Sequence, residues 1–128
     1  MSDREVITSS QAPAAIGPYS QAVRSGQLVF MSGQIPLDPQ TMQIVEGGIE
    51  AQARQVLDNL AAVAAAAGSS LNDSIKLTIY LTDLQDFGVV NEVMQTYFRE
   101  PYPTRSTIQV AALPCQALIE IDAILVLP

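Results

Sequence analysis

Any proton this chain moves must pass through carboxylates, hydroxyls, backbone groups or water, because its 128 residues include no histidine. Serine–histidine and cysteine–histidine nucleophile pairs are thereby excluded, as is every metal site built on imidazole. Cys115 is the one cysteine. No intrachain disulfide can form, and beside Pro114 the thiol reads as a packing or loop residue rather than a nucleophile. What remains is arginine and carboxylate chemistry, and elimination alone singles out no one residue. Arg105 carries a planar fork of donors that can grip a carboxylate through two parallel hydrogen bonds, and it never loses its charge. Glu120 can steer a water molecule and pass a proton. Spacing alone leaves plainer readings open: a surface ion pair for the arginine, a solvated strand carboxylate for the glutamate.

The elements that must position them follow from hydrophobic periodicity. Ser20–Arg24 and Leu28–Ser32 read as a β-hairpin with Gly26 in its turn, and a short extra strand is possible near Val6–Ile7. Residues 35–48, rich in Pro, Asp and Gly, read as a loop. Ile49, Ala53, Val56, Leu57, Leu60, Val63, Ala64 and Ala67 recur at spacings of three and four, one face of a helix stopped by Gly68. Ile75, Leu77, Ile79 and Leu81 alternate with Lys76, Thr78 and Tyr80, which marks a strand. A second helix carries Phe87, Val90, Met94 and Tyr97 on one stripe, with Pro101 and Pro103 ending it. Two strands close the chain. In the first, Ser106, Ile108 and Val110 oppose Arg105, Thr107, Gln109 and Ala111. In the second, Ile119, Ile121, Ala123 and Leu125 oppose Leu118, Glu120, Asp122, Ile124 and Val126.

The order β-β-α-β-α-β-β over residues 1–128 implies one α+β domain, a mixed sheet with two helices on a single face. If those helices cover Ile75, Leu77, Ile79, Leu81, Ile108, Val110, Ile119 and Ile121, the second face holds Lys76, Thr78, Tyr80, Arg105, Thr107, Gln109, Glu120 and Asp122. That set resembles a solvated face, yet Leu118, Ile124 and Val126 share it. With 48% apolar residues and only 15% charged, coverage by a second subunit explains the mixture better than a larger core. Such coverage could place Arg105 and Glu120 in a shared cleft.

The formal net charge of −7, with Lys76 the single lysine, makes nucleic acid and anionic membranes poor partners, since both are bound through clustered basic residues. No apolar run reaches the length of a membrane span, and no secretory leader is recognisable. A cytoplasmic, reducing location is expected.

Ala14-Ala15-Ile16-Gly17-Pro18-Tyr19-Ser20-Gln21-Ala22 and Ser32-Gly33-Gln34-Ile35-Pro36 resemble the N-terminal signature of the Rid/YjgF family. Residues 51–60 are similar to its first helix, and Lys76 through Asn91 to its central strand and second helix. Pro103-Thr104-Arg105-Ser106 and Ile119-Glu120-Ile121-Asp122-Ala123 are similar to its closing motifs. The likeness runs from about residue 9 almost to the end, and the order and spacing of the pieces make it specific. It implies a chorismate-mutase-like α+β fold, a homotrimer with a barrel-like core, and clefts between adjacent subunits. In the deaminase subgroup those clefts hydrolyse 2-aminoacrylate, 2-aminocrotonate and their imine tautomers to 2-oxo acids and ammonium, with no cofactor and no metal.

By the same resemblance, Arg105 clamps the substrate carboxylate and Glu120 is the acid/base group, the two catalytic residues. Tyr19, Ser32, Gly33 and Asn91 line the cleft with Arg105 as substrate-binding residues. Tyr19 closes a wall, Ser32 and the backbone at Gly33 bond one end of the substrate, and Asn91 orients a neighbour. Thr107, also counted as substrate-binding, stands where many relatives have cysteine; it keeps a hydroxyl but no thiolate. Cys115 is expected to lie elsewhere. Pro36, Leu113 and Pro114 fit the rim of the cleft and plain loop punctuation equally well and are not counted among the site residues. A non-catalytic trimeric module binding small 2-oxo or amino acids is the alternative. Nuclease and chaperone roles have also been attached to the family, the first of which this charge balance disfavours.

Overall fold

The hairpin forms as its turn residues require. In the computed structural model, which describes residues 3–128, β2 (Ala22–Ser25) and β3 (Leu28–Gln34) pair antiparallel, with Ser25 opposite Leu28. Gly26 takes φ +61° in the two-residue turn, a conformation that glycine adopts without cost. The possible extra strand is real: β1 (Arg4–Ile7) pairs with β2. The remaining elements are α1 (Ile49–Ala66), β4 (Ser74–Leu81), α2 (Phe87–Gln95), β5 (Thr104–Gln109) and β6 (Ile119–Val126). They make a six-stranded mixed sheet in the order β1-β2-β3-β6-β4-β5. Only β4 and β5 run parallel, and α2 supplies the crossover that parallel neighbours need.

The core lies between the helices and one sheet face. Ala53, Val56, Leu57, Leu60, Val63 and Ala64 of α1 are fully buried, together with Leu77, Ile79 and Leu81 of β4 and Ile119, Ile121 and Leu125 of β6. Gly68, at φ +79°, stops α1 as expected. Its amide donates to the Ala65 carbonyl and the Ser69 amide to the Ala64 carbonyl, capping the helix C-terminus. The loop over residues 35–48 is tied down by buried Asn59, whose amide donates to the Leu37 carbonyl at 3.0 Å.

Four expectations are corrected. Ile75 is 44% exposed. Ser74 pairs with Leu125 and Lys76 with Ile124, so Ile75 is the extra residue of a bulge, turned out of the core. Second, α2 ends at Gln95, well before Pro101; the Thr96 hydroxyl donates to the Val93 carbonyl at 2.7 Å, and such a local bond competes with helix continuation. Third, the buried residues of α2 are Val90, Val93 and Met94, while Phe87 is 38% exposed.

The fourth concerns β5. Its parallel register sets Arg105 beside Leu77, Thr107 beside Ile79 and Gln109 beside Leu81. Neighbours in register share a face, so Arg105 and Thr107 stand on the helix side of the sheet. Ser106 and Ile108, beside Thr78 and Tyr80, stand on the open side. The open face therefore carries Phe30, Ile108 and Val126 exposed and Ile124 partly covered, with Phe30 opposite Ile124.

Candidate functional site

Arg105 is held by one stripe of α2. Phe87, Asn91 and Met94 fall at i, i+4 and i+7, spacing that puts them on one side of a helix. The guanidinium carbon of Arg105 lies 5.1 Å from the Phe87 ring centroid. Its Nη1 donates to Asn91 Oδ1 at 2.5 Å and approaches Met94 Sδ at 3.9 Å. Among the described residues no carboxylate forms an ion pair with Arg105; the salt bridges join Arg24 to Glu5 and Arg54 to Glu50. Nε and Nη2 have no hydrogen-bond partner among these groups. A full positive charge with a donor edge unclaimed thus borders a cleft of about 360 Å³, lined also by Asn91, Met94, Phe98, Tyr102 and Pro103. Two residues along the same face, the Thr107 hydroxyl is buried without a hydrogen-bond partner.

Glu120 stands on the opposite face, across from Tyr80. Its carboxyl group rests against Gly33: a Cβ built there would lie 2.9 Å from the carboxyl carbon. The irregular pairing of β3 with β6 between Met31 and Gln34 falls at this place. Burial strips water from the Glu120 carboxylate and pushes its pKa up, and the charge of Asp122 adds to the effect. Asp122 accepts a hydrogen bond from the Tyr80 hydroxyl at 3.1 Å. Burial first, then Asp122, raises the pKa of Tyr80 too.

A second cleft, of about 370 Å³, is bordered by Glu120, Gly33, Tyr19, Ile16, Ile35 and Cys115. Tyr19 is 51% exposed, and its hydroxyl accepts from the Ile16 amide at 3.3 Å. The segment holding Tyr19 is anchored by the buried Gln21 side chain, which bonds the backbone of Ser9 and Pro13.

One chain therefore brings the expected residues together in two groups. Tyr19, Gly33 and Glu120 share one cleft; Arg105 and Asn91 share the other, with Thr107 two positions along its strand. Arg105 and Glu120 do not share a sheet face, as sequence alternation had them do. The Ser32 hydroxyl already donates to the Ser20 carbonyl at 2.6 Å, so its first task is to hold β3 to the preceding loop. Cys115 is an exposed loop residue apart from Thr107, at φ +57°, and it lies on the rim of the Glu120 cleft. Pro114 lines the same cleft. The support that Phe87 and Met94 give to Arg105 went unread, although their spacing with Asn91 was its signal.

A mixed sheet with two helices on one face, an open apolar face and a cleft on each side defines an α+β chain of the chorismate-mutase-like class. Residues 9–127 match the family model described as Endoribonuclease L-PSP. The mouse protein named 2-iminobutanoate/2-iminopropanoate deaminase is 49% identical over 96% of this chain and 91% of its own length. The crystal structure of RidA from an Antarctic Psychrobacter superposes with a TM-score of 0.93 at 50% identity, covering 96% of this chain and 99% of that one. That of Escherichia coli TdcF with bound serine superposes at 0.92 and 48% identity, over 97% and 99%. The chain belongs to the Rid/YjgF family. Among the described residues no helix is long and apolar enough to cross a membrane.

Proposed function

We propose that this chain hydrolyses small 2-imino acids and their enamine tautomers, such as 2-aminoacrylate and 2-aminocrotonate, to 2-oxo acids and ammonium. The observation that carries the reading is Arg105, a guanidinium held, among the described residues, by an aromatic face, an amide oxygen and a thioether. Neutral contacts of this kind leave its charge and a bidentate edge for an incoming carboxylate. A relative bearing the deaminase name and a relative solved with serine, itself a small amino acid, support the same substrate class.

The chemistry then needs one acid/base group. With the iminium carboxylate clamped, water adds to the C=N carbon and gives one proton to Glu120, leaving a neutral carbinolamine. Glu120 returns that proton to nitrogen. The C–N bond breaks as the hydroxyl oxygen forms C=O, and the hydroxyl proton leaves with ammonia as ammonium. A carboxyl group whose pKa is raised suits both directions of transfer. The unpartnered Thr107 hydroxyl and the backbone at Gly33 are the proposed further contacts. Tyr19 closes the wall, Asn91 orients Arg105, and Ser32 acts through the loop it holds.

Because Arg105 and Glu120 occupy opposite sheet faces, the site is proposed to form between subunits of a homotrimer, Arg105 from one and Glu120 from the next. The exposed apolar side chains of Phe30, Ile108 and Val126 support the packing of open faces into a barrel-like core, because a monomer gains nothing from leaving them in water. A cytoplasmic setting, which suits a lone thiol, belongs to the same proposal. The nuclease implied by the matched family's description draws no support from a chain without histidine, with one lysine and a net charge of −7.

The test is to generate 2-aminoacrylate with a dehydratase and time its loss with and without the protein. Faster loss is expected, and Arg105→Ala is expected to abolish most of it while the assembly stays intact. Binding of pyruvate with no acceleration would turn the reading to a non-catalytic binding module.

A further inference from the structure

We propose that Phe87 is a positioning residue. Its ring lies under the Arg105 guanidinium carbon, 5.1 Å from centroid to carbon, and holds the fork in place before the substrate carboxylate arrives. The inference rests on the carboxylate-clamp reading of Arg105 and extends it to a residue that touches no reacting atom.

Three observations carry it. Phe87 opens α2 at a position the core does not use, since Val90, Val93 and Met94 supply the buried stripe. An aromatic ring left 38% exposed there has its visible partner in Arg105, 5.1 Å from the ring centroid. Arg105 also sits on the edge strand of the sheet, where a long side chain has many rotamers to lose on binding, and ordering it beforehand removes that cost. Finally, the remaining contacts, Asn91 Oδ1 and Met94 Sδ, both fall on Nη1. A carboxylate partner would order the arginine more firmly, but it would cancel the charge and occupy donors that the substrate needs. The ring offers its own π face to the cation, while the hydrogen bonds the guanidinium donates to Asn91 and Met94 fall on Nη1 alone.

Phe87→Leu keeps an apolar side chain and removes the ring, whereas Phe87→Tyr keeps the ring. In the full-length assembled protein, Phe87→Leu is expected to weaken pyruvate binding and raise KM about three- to tenfold, the scale of one cation–π contact, with kcat little changed. Phe87→Tyr is expected to restore both. The Arg105 side-chain NMR signals are expected to carry a ring-current shift in the wild type and in Phe87→Tyr, and to lose it in Phe87→Leu. A role in packing alone would change thermal stability without this split. Wild-type affinity and KM in Phe87→Leu, or an equal loss in Phe87→Tyr, overturns the proposal. Neither the pyruvate titration nor the NMR readout requires turnover. A protein whose pyruvate affinity depends on Phe87 but which leaves 2-aminoacrylate untouched therefore supports the positioning role while the deaminase reading falls.

Discussion

Gly33 and Glu120 occupy adjoining space so tightly that only a residue without a side chain fits beneath the carboxyl group. A Cβ on Gly33 would come within 2.9 Å of the Glu120 carboxyl carbon and 3.1 Å of its Cγ. Gly33 has no left-handed φ, so backbone strain is not the reason for glycine here. The reason is the carboxylate.

Gly33→Ala is therefore expected to displace the end of a flexible side chain and spare the fold. Imine hydrolysis should fall about tenfold or more, since acid/base catalysis depends on reach, while the melting temperature shifts by only a few degrees. Kinetics and a thermal melt on the same sample decide it. Full activity in the alanine variant would show that Glu120 does not work from this position.

The raised pKa of Glu120 gives a signed dependence of stability on pH. Burial and the neighbouring Asp122 favour its protonated form in the folded chain. Above the ordinary value of 4.5, the unfolded chain releases this proton before the folded chain does. The folded state then holds more protons, and stability falls as pH rises through the window between the two pKa values. Glu120→Gln lacks this loss. Its urea midpoint, relative to wild type, is expected to improve as pH rises from about 4 towards neutrality. A difference that is flat with pH would mean the carboxylate is no worse off folded than unfolded.

Much of this architecture was legible because its signals are local. The spacing of Val56, Leu57, Leu60 and Val63 marks a helix wherever it packs, Gly68 stops it, and Gly26 between two short β runs marks a hairpin turn. Alternation in β5 separates Arg105 and Thr107 from Ser106 and Ile108 equally well, but it does not say which set meets the helices. Ile108 is the one large apolar residue in Thr104–Gln109, and assigning it to the core inverted the strand. The parallel register with β4 decides the matter, and that register is a tertiary fact. Ile75 failed similarly, since a bulge shifts the face of one residue without changing the pattern around it. Arg105 and Glu120 were identified through resemblance; their separation by the sheet could come only from the fold.

Gln21 links the hairpin to the segment carrying Tyr19. Its side chain is buried, accepting from the Ser9 amide at 2.6 Å and donating to the carbonyls of Ser9 and Pro13 at 3.1 and 2.7 Å. Gln21→Leu would fill similar space and leave those three backbone groups without partners. A loss of about 2–4 kcal/mol in unfolding free energy is expected, together with faster hydrogen exchange at the Ser9 amide. An unchanged urea midpoint would show that the segment releases and rehydrates freely.

The separation of Arg105 and Glu120 by the sheet makes the composite cleft testable without a new structure. Arg105→Ala and Glu120→Ala are each expected to be inactive alone. When the two chains are refolded together in equal amounts, a cleft that takes its arginine from one subunit and its glutamate from the next is intact when the first is the Glu120→Ala chain and the second the Arg105→Ala chain. Random assembly in a ring makes about a quarter of the clefts intact. Imine hydrolysis should return to about that fraction of the wild-type rate per site, while either variant refolded alone stays inactive. A cleft complete within one chain would give no recovery at any mixing ratio, because no subunit in the mixture carries both groups. Light scattering on the mixture checks that subunits have exchanged, so silence after exchange would rule out a site shared between protomers.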